Sequence, residues 1–234
     1  MKLAIMQPYF FPYIGYFQLI NAVDTFVVYD NIQFTKKGWI NRNRILIGGK
    51  DEYITLPLKK DSDFLDIRER ILSATFDQER AKMLRKIKEA YRKAPYFDQT
   101  YPMVEEALNY PDTNLFNFIF HSIQCVCRFL EIKTELVVSS TLKLNHNLRA
   151  EEKVMAICTH LKAHQYVNPI GGITLYDKEE FGSHSISLSF LQTTAHSYEQ
   201  FEKEHVPFLS IIDVLMFNSP NATKELLNTG FTIA

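Results

Sequence analysis

The feature that most constrains this chain is a strand, a helix and a second strand in close succession at its start. Residues 3–6 form an apolar run that ends at Gln7-Pro8, where proline removes a backbone donor. Residues 13–22 repeat apolar side chains at helical spacing, and residues 26–29 are rich in strand-forming types. A βαβ unit of this kind joins two parallel strands through a crossover helix. The sequence therefore predicts an α/β fold built on an open parallel sheet.

A helical lobe is expected farther along the chain, over about residues 77–130. Amphipathic spacing predicts helices at 77–93 and 114–130, with Asp77 and Asn114 as their N-caps. The remaining predicted elements are strands at 135–139, 165–168 and 185–191 and helices at 149–162, 208–217 and 221–228.

Composition places the chain among globular proteins and limits its partners. Hydrophobic residues make up 46% and charged residues 23%, which excludes a disordered chain. Lys plus Arg (26) almost balances Asp plus Glu (27), so a general nucleic-acid binder is not expected. With no repeat and no Ser/Gly linker, we interpret residues 1–234 as one α/β domain.

The lack of a recognisable targeting signal and the pattern of cysteines predict a cytoplasmic protein. The apolar run after Lys2 is too short for a signal-peptide core, and no apolar stretch reaches the length of a membrane span. The three cysteines are an odd number in apolar surroundings, which is typical of reduced thiols. We therefore expect a cytoplasmic protein with no membrane span.

The end of the first strand is the first candidate site. Ligands of open α/β sheets bind just outside the carboxyl ends of the strands, which is where Gln7 lies. The following helix would aim free N–H groups at the same place from Tyr13, Gly15 and Tyr16, and a glycine there permits close approach. Asp30 ends the second strand at the same edge. It could act as a hydrogen-bond acceptor or general base, or it could form a turn or cap a helix. The alternative for the aromatic residues is a place in the core.

A β-hairpin rich in cations is predicted after the second strand, with strands at 39–47 and 53–58. Its first part carries cations and no acidic residue. Lys36 with Arg42 or Arg44 could hold a phosphate or carboxylate, since arginine binds such groups through two parallel hydrogen bonds. The alternative is a solvated edge strand protected by lysines.

The same strand would offer a stacking surface. Trp39, the sole tryptophan, alternates with Asn41 and Asn43, so the three side chains would share one face. An indole with amide donors and acceptors beside it suits a base or a sugar.

Two downstream segments complete the candidate set. Asn168, the pair Gly171-Gly172 and Tyr176 follow a short strand, and the glycines would let a ligand approach the backbone. Asp213 interrupts an apolar helix, either as a hydrogen-bonded structural group or as an acid, a base or an amine-binding group.

Metal and cofactor signatures are weak in the sequence. His160 and His164 have a spacing that two metal ligands could use, but no third ligand accompanies them. We predict no metal site, and the cofactor is left unknown because no cofactor motif is present.

Several of these residues carry a family resemblance. Gln7-Pro8-Tyr9-Phe10-Phe11-Pro12-Tyr13-Ile14-Gly15-Tyr16-Phe17, then Asp24, Asp30, Gln33, Lys36 and Trp39-Ile40-Asn41-Arg42-Asn43, resemble the WbqC-like protein family. The likeness continues through Asn168-Pro169-Ile170-Gly171-Gly172, Leu175-Tyr176 and Leu209-Ser210-Ile211-Ile212-Asp213. It implies a link to bacterial surface-polysaccharide (O-antigen) gene clusters, in which some members are described as transferases of glycine or another acyl group to amino sugars.

A second resemblance concerns the fold. The opening strand, loop and helix are similar to those of nucleotidylyltransferase-type enzymes such as pantoate–β-alanine ligase. This implies a nucleotidylyltransferase/Rossmann-like open parallel sheet, with a β-hairpin insertion and a helical lobe. Tyr13-Ile14-Gly15-Tyr16 stands where those enzymes carry His-x-Gly-His, and a neutral tyrosine cannot supply the charge of an imidazolium.

Two functions follow from these expectations. One is a group transferase for an amino sugar or nucleotide sugar, with Asp30 or Asp213 orienting or deprotonating an attacking amine. The other is a non-catalytic protein that binds an anionic metabolite and has lost the catalytic histidines. Both take a small anionic partner, a nucleotide sugar or acyl donor; neither involves nucleic acid, and the oligomeric state stays open.

Overall fold

The computed structural model describes residues 1–194, 196–201 and 204–234. Its strands are β1 (Lys2–Met6), β2 (Thr25–Val28), β3 (Arg42–Ile47), β4 (Lys50–Thr55), β5 (Glu135–Val138), β6 (Gln165–Pro169), β7 (Ser187–Thr193) and β8 (Phe231–Ile233). Its helices are α1 (Ile14–Asn21), α2 (Phe76–Tyr91), α3 (Phe97–Leu108), α4 (Leu115–Phe129), α5 (Ala150–His160), α6 (Lys178–Ser183), α7 (Ile211–Phe217) and α8 (Pro220–Thr229). Nowhere in these described ranges is a helix both long and apolar enough to cross a membrane.

Six strands form the central sheet, in the order β5-β2-β1-β6-β7-β8. The first five of these run parallel, and β8 pairs antiparallel with β7 at the edge. If the six strands of this sheet are renumbered 1 to 6 in chain order, their spatial order is 3-2-1-4-5-6. This is the strand order of dinucleotide-binding sheets. The predicted open parallel sheet is confirmed, and its order reverses direction between β1 and β6.

Both faces of the sheet are covered by helices. Alternate residues of β1 point to opposite faces, so that Ala4 joins one core and Leu3 joins the other. The first core contains Phe17 of α1 and Phe118 of α4, and the second contains Val154 of α5. Burial on both sides explains why β1 and β2 are continuous apolar runs rather than alternating ones.

The predicted hairpin is present as β3 and β4, which pair antiparallel outside the central sheet. Gly48 and Gly49 form its turn, both with positive φ, a conformation that glycine adopts without steric cost. The hairpin is fastened to the core where the backbone N–H of Leu46 donates to the hydroxyl of Tyr91, at 2.9 Å. The strand begins at Arg42, so Trp39 precedes it instead of lying within it.

The helical region differs from its prediction in two respects. Thr75 occupies the N-cap position of α2 and Asp77 lies in the first turn, whereas Asn114 caps α4 as predicted by accepting from the backbone N–H of Asn117. Helix α3 was not predicted, because Pro102 inside it interrupts the helical pattern. The short helix α6 and the edge strand β8 were also not predicted.

Candidate functional site

A cavity of about 450 Å³ lies where the carboxyl ends of β1 and β6 diverge. We call it the switch-point chamber, since ligands of open α/β sheets bind where the strand order reverses. Its lining includes Gln7, Tyr29, Asn168, Gly171, Gly172 and Tyr176. The sequence-predicted residues from the end of β1 and from the glycine pair therefore meet around a common cavity.

The two glycines of this chamber have different surroundings. A Cβ on Gly172 would lie 2.0 Å from Nδ2 of Asn168, so the missing side chain makes room for that amide. Asn168 is buried, and its Oδ1 accepts from the hydroxyl of Tyr166 at 3.2 Å. Among the described residues, apart from Gly171 and its two chain neighbours, none has an atom within 4 Å of a Cβ built on Gly171, which leaves the backbone there open to a ligand. Gly172 thus makes room for a neighbouring side chain, and Gly171 can let a ligand approach the backbone.

Tyrosines, Tyr29 and Tyr176 among them, give the chamber neutral hydroxyl groups. Burial raises the pKa of Tyr29 and of Tyr176 above the usual value. At physiological pH both therefore keep the proton and can donate or accept a hydrogen bond. The polar groups of the lining are consequently neutral hydroxyls and amides, set among apolar side chains such as Ile32 and Leu175, and such groups can bind sugar hydroxyls.

A second cavity, of about 340 Å³, adjoins the first at Tyr9, which lines both. We call it the tryptophan chamber. Its lining includes Tyr9, Tyr13, Trp39, Arg44, Gln192 and Phe208. The hairpin, the loop after β1 and the carboxyl end of β7 thus form its walls.

Arg44 lines the tryptophan chamber, and one hydrogen-bond donor of its guanidinium group has no acceptor among the described residues. Its Cζ lies 5.5 Å from the centre of the Trp39 ring, within cation–π range. Nη1 pairs with Asp51 at 3.0 Å, and Nη2 donates to the carbonyl of Phe208 at 3.4 Å. Nε is buried and has no hydrogen-bond acceptor among the described residues. A buried donor without an acceptor is costly, so an acceptor supplied by a ligand would relieve that cost.

The other predicted cations point elsewhere. The guanidinium of Arg42 donates to the carbonyls of Gly38 and Lys37 and lies 4.6 Å from the centre of the Tyr53 ring. Lys36 pairs with Asp63 at 2.6 Å, and both side chains are exposed. The structure therefore brings Arg44, and neither Arg42 nor Lys36, to a chamber wall.

The two asparagines predicted beside Trp39 hold the hairpin in place. Nδ2 of Asn43 donates to the carbonyls of Phe10 and Phe11 at 3.1 and 2.8 Å. Nδ2 of Asn41 donates to the carbonyl of Leu56 at 2.9 Å. Since Trp39 precedes β3, the three side chains do not share a strand face, and Asn43 adjoins the tryptophan chamber while committing its amide to the loop after β1.

At the start of α1, only part of the predicted set faces a cavity. Tyr13 lines the tryptophan chamber, with its ring edge-on to Phe208 at 6.5 Å. Tyr16 is buried, and its hydroxyl donates to the carbonyl of Gln7 at 3.0 Å. A Cβ on Gly15 would lie 2.3 Å from Oγ1 of Thr193, so this glycine admits a neighbouring side chain of the protein itself.

Asp30 is buried and fully engaged. Its Oδ1 accepts from Oγ of Ser139 at 2.8 Å and from the backbone N–H of Ser140 at 2.9 Å. Its Oδ2 accepts from Oγ of Ser140 at 2.6 Å. These bonds join the end of β2 to the end of β5, beside the switch-point chamber.

Asp213 has a comparable role on α7. It is fully buried, and its carboxylate accepts from Tyr91 Oη at 2.8 Å, Tyr198 Oη at 2.6 Å and Gln200 Nε2 at 2.7 Å. Burial raises the pKa of this carboxyl, and the three hydrogen bonds oppose the rise. Each of the two predicted acids is therefore surrounded by donors from the protein.

Some chamber residues were missed in the sequence. Gln192 and Thr193 lie at the carboxyl end of β7, so the edge rule that selected Gln7 would have found them if the strand had been extended past Leu191. Phe208 was predicted only as the start of the helix at 208–217, and a place in the core was the alternative for Tyr9; no local pattern marks either residue as a cavity wall.

One comparison with known proteins identifies a family. The model of the WbqC-like protein family matches residues 7–225. The chain is 30% identical over 220 residues to the Mycobacterium tuberculosis protein Rv1507c, itself described as uncharacterized, and the match covers 93% of each chain. No solved structure matches the chain.

Proposed function

The chain belongs to the WbqC-like protein family, and we propose that it is a group transferase acting on an amino sugar or nucleotide sugar in bacterial surface-polysaccharide biosynthesis. The transferred group is of the acyl, aminoacyl or glycyl type. The observation that carries the proposal is a pair of cavities that share Tyr9 as a lining residue: Trp39 and Arg44 line one, and the other, at the switch point of the sheet, offers neutral hydroxyl and amide groups among apolar side chains.

The tryptophan chamber supports binding of the nucleotide part. Trp39 is 40% exposed, and an indole that stacks on a nucleobase contributes about 1–3 kcal/mol to binding. The Nε–H of Arg44 lacks an acceptor among the described residues, and a phosphate oxygen is the acceptor that arginine binds best.

The switch-point chamber supports binding of the sugar and the approach of the second substrate. Gln7 and the hydroxyls of Tyr29 and Tyr176 can bind sugar hydroxyls as neutral donors and acceptors. Gly171 leaves the backbone open on one side of this chamber. Tyr9, which lines both chambers, would lie beside the bond that joins the sugar to its phosphate.

The transfer step itself needs little from ionised side chains. The acceptor amine forms a C–N bond with the donor carbonyl, the leaving group departs with its bonding electrons, and the amine loses one proton. Positioning of the two reactants can supply much of the rate. Asp30 and Asp213 have a structural role in this proposal. Asp30 joins the ends of β2 and β5, and Asp213 holds the start of α7 in place.

Product formation tests the proposal. Purified protein is incubated with nucleotide-linked amino sugars and a panel of activated acyl and aminoacyl donors, and products are sought by mass spectrometry. We expect one pair to give a new N-acylated sugar, and Arg44→Ala to lower its rate of formation at least tenfold. Arg42→Ala is the matched control in the same hairpin.

The second candidate is a non-catalytic protein that binds an anionic metabolite. It is favoured by the hydrogen bonds that engage both buried acids, Asp30 and Asp213, and leave neither free to act as a base. Tight binding of nucleotide sugars with no product from any donor would contradict the transferase and support this candidate.

A further inference from the structure

Three side chains of the kinds that bind metal ions lie together on the helical lobe, outside the lining of both chambers. Glu106 on α3 faces His121 and Cys125, which are one turn apart on α4. The three ligand atoms lie within 4.8 Å of one another, and Nε2 of His121 is 3.4 Å from Sγ of Cys125. Carboxylate, imidazole and thiolate are the three ligand types that zinc accepts in proteins.

The spacing suits a tetrahedral ion. Zinc lies about 2.3 Å from sulfur and about 2.0–2.1 Å from nitrogen, which places tetrahedral N and S ligands roughly 3.5 Å apart. The observed 3.4 Å between His121 and Cys125 matches that separation. The side chain of Glu106 is half exposed, so it can change rotamer to complete the set.

The imidazole is oriented before any ion arrives. The ring of His121 stacks on Tyr110 with centroids 4.1 Å apart and an interplanar angle of 13°. A thiol binds zinc as the thiolate, so the thiol of Cys125 would release its proton when an ion binds.

A cationic side chain covers this cluster. Arg128 donates to the carboxylate of Glu106, and its Nη2 lies 3.6 Å from Sγ of Cys125. The guanidinium is exposed and lies one turn beyond Cys125 on α4, so it can turn away into water. It supplies positive charge at the position where a metal ion would supply it.

We propose that Glu106, His121 and Cys125 form a binding site for a single Zn²⁺-like ion, with a fourth position left to water. Binding displaces Arg128 from Glu106 and releases the thiol proton of Cys125. The thiolate and the carboxylate then balance the two charges of the ion. The site joins α3 to α4.

Cobalt is the probe that tests this site directly. Chelator-treated full-length protein is titrated with Co²⁺ at neutral pH under reducing conditions, and the thiolate-to-metal absorption band is recorded. We expect the band to saturate at one Co²⁺ per protein molecule. Added Zn²⁺ should abolish the band by competition, and the band should weaken as the pH falls. Absence of a thiolate band would overturn the proposal.

Matched variants separate this site from fortuitous binding. Cys125→Ser is expected to abolish the band, whereas Cys127→Ser, two residues away on the same helix, keeps it. Glu106→Gln changes a half-exposed side chain with little effect on folding, and it is expected to weaken Zn²⁺ binding at least tenfold. Arg128→Ala is expected to tighten binding severalfold because it removes a competing cation. Equal Zn²⁺ affinity in wild type and Glu106→Gln would contradict the site.

Discussion

The amide of Asn168 occupies the space that a side chain on Gly172 would need, with Nδ2 only 2.0 Å from a Cβ built there. The two residues come from the end of β6 and from the turn that follows it, and both line the switch-point chamber. The shape of this chamber therefore depends on a glycine.

The first prediction concerns that glycine. Gly172→Ala should displace the amide of Asn168 and lower the free energy of unfolding by about 1–3 kcal/mol, as overpacking does elsewhere. Gly171→Ala, one residue earlier and facing open space, should change it by less than about 0.5 kcal/mol. Urea unfolding of both variants measures the difference, and equal costs would contradict the close approach.

The second prediction concerns the cation of the tryptophan chamber. Arg44→Ala should weaken binding of a nucleoside diphosphate at least tenfold, because it removes a buried donor that lacks an acceptor among the described residues. Isothermal titration with the nucleotide provides the measurement. Arg42→Ala should leave the affinity within about twofold, since its guanidinium is bound to backbone carbonyls. A larger loss for Arg42 than for Arg44 would move the anion site along the hairpin.

The third prediction uses the sole tryptophan as its own reporter. Trp39 lines the chamber and is 40% exposed. A base that stacks on it should quench its fluorescence in proportion to occupancy. Trp39→Ala should weaken nucleotide binding by about 1–3 kcal/mol, the typical contribution of one stacked base. Unchanged emission at saturating nucleotide, with binding established by titration, would place the base elsewhere.

The fourth prediction concerns the pH dependence of stability. Because burial raises the pKa of Asp213, the folded state binds its proton more tightly than the unfolded state does. The contribution of this group is therefore fully present below its unfolded pKa, near 3.8, and falls as the pH rises through the raised folded value.

Asp213→Asn should remove this dependence. The stability difference between wild type and variant should grow as the pH falls toward 4, and it should include a loss of about 1–3 kcal/mol from the disturbed hydrogen bonds. Urea unfolding of both proteins from pH 4 to 8 measures it. A difference that stays constant across this range would show that Asp213 titrates normally.

The sequence revealed the parts of the fold that follow from local hydrophobic pattern. The opening βαβ unit was predictable, because β1 and β2 are buried on both faces and form continuous apolar runs. Helix α3 was not, since Pro102 lies inside it and tertiary packing outweighs the local preference. Strand β8 was also missed, because its three residues are defined mainly by pairing with β7.

The candidate site was predictable in position and less so in detail. The edge rule located Gln7, Asn168 and Gly171 at one cavity from strand ends alone. It could not show that Ser139 and Ser140, more than a hundred residues away, engage both oxygens of Asp30. Which buried acid has partners, and which arginine faces a cavity, depends on long-range contacts that a single sequence does not contain.

Tyr9 lines both chambers, so under the proposed function a single side chain would set the distance between the nucleotide and the sugar. A smaller residue there would merge both volumes into one trough and let long, unbent compounds enter. An inhibitor designed for the natural protein should instead be angled around the phenol, with one arm over the indole and the other reaching the glycine turn.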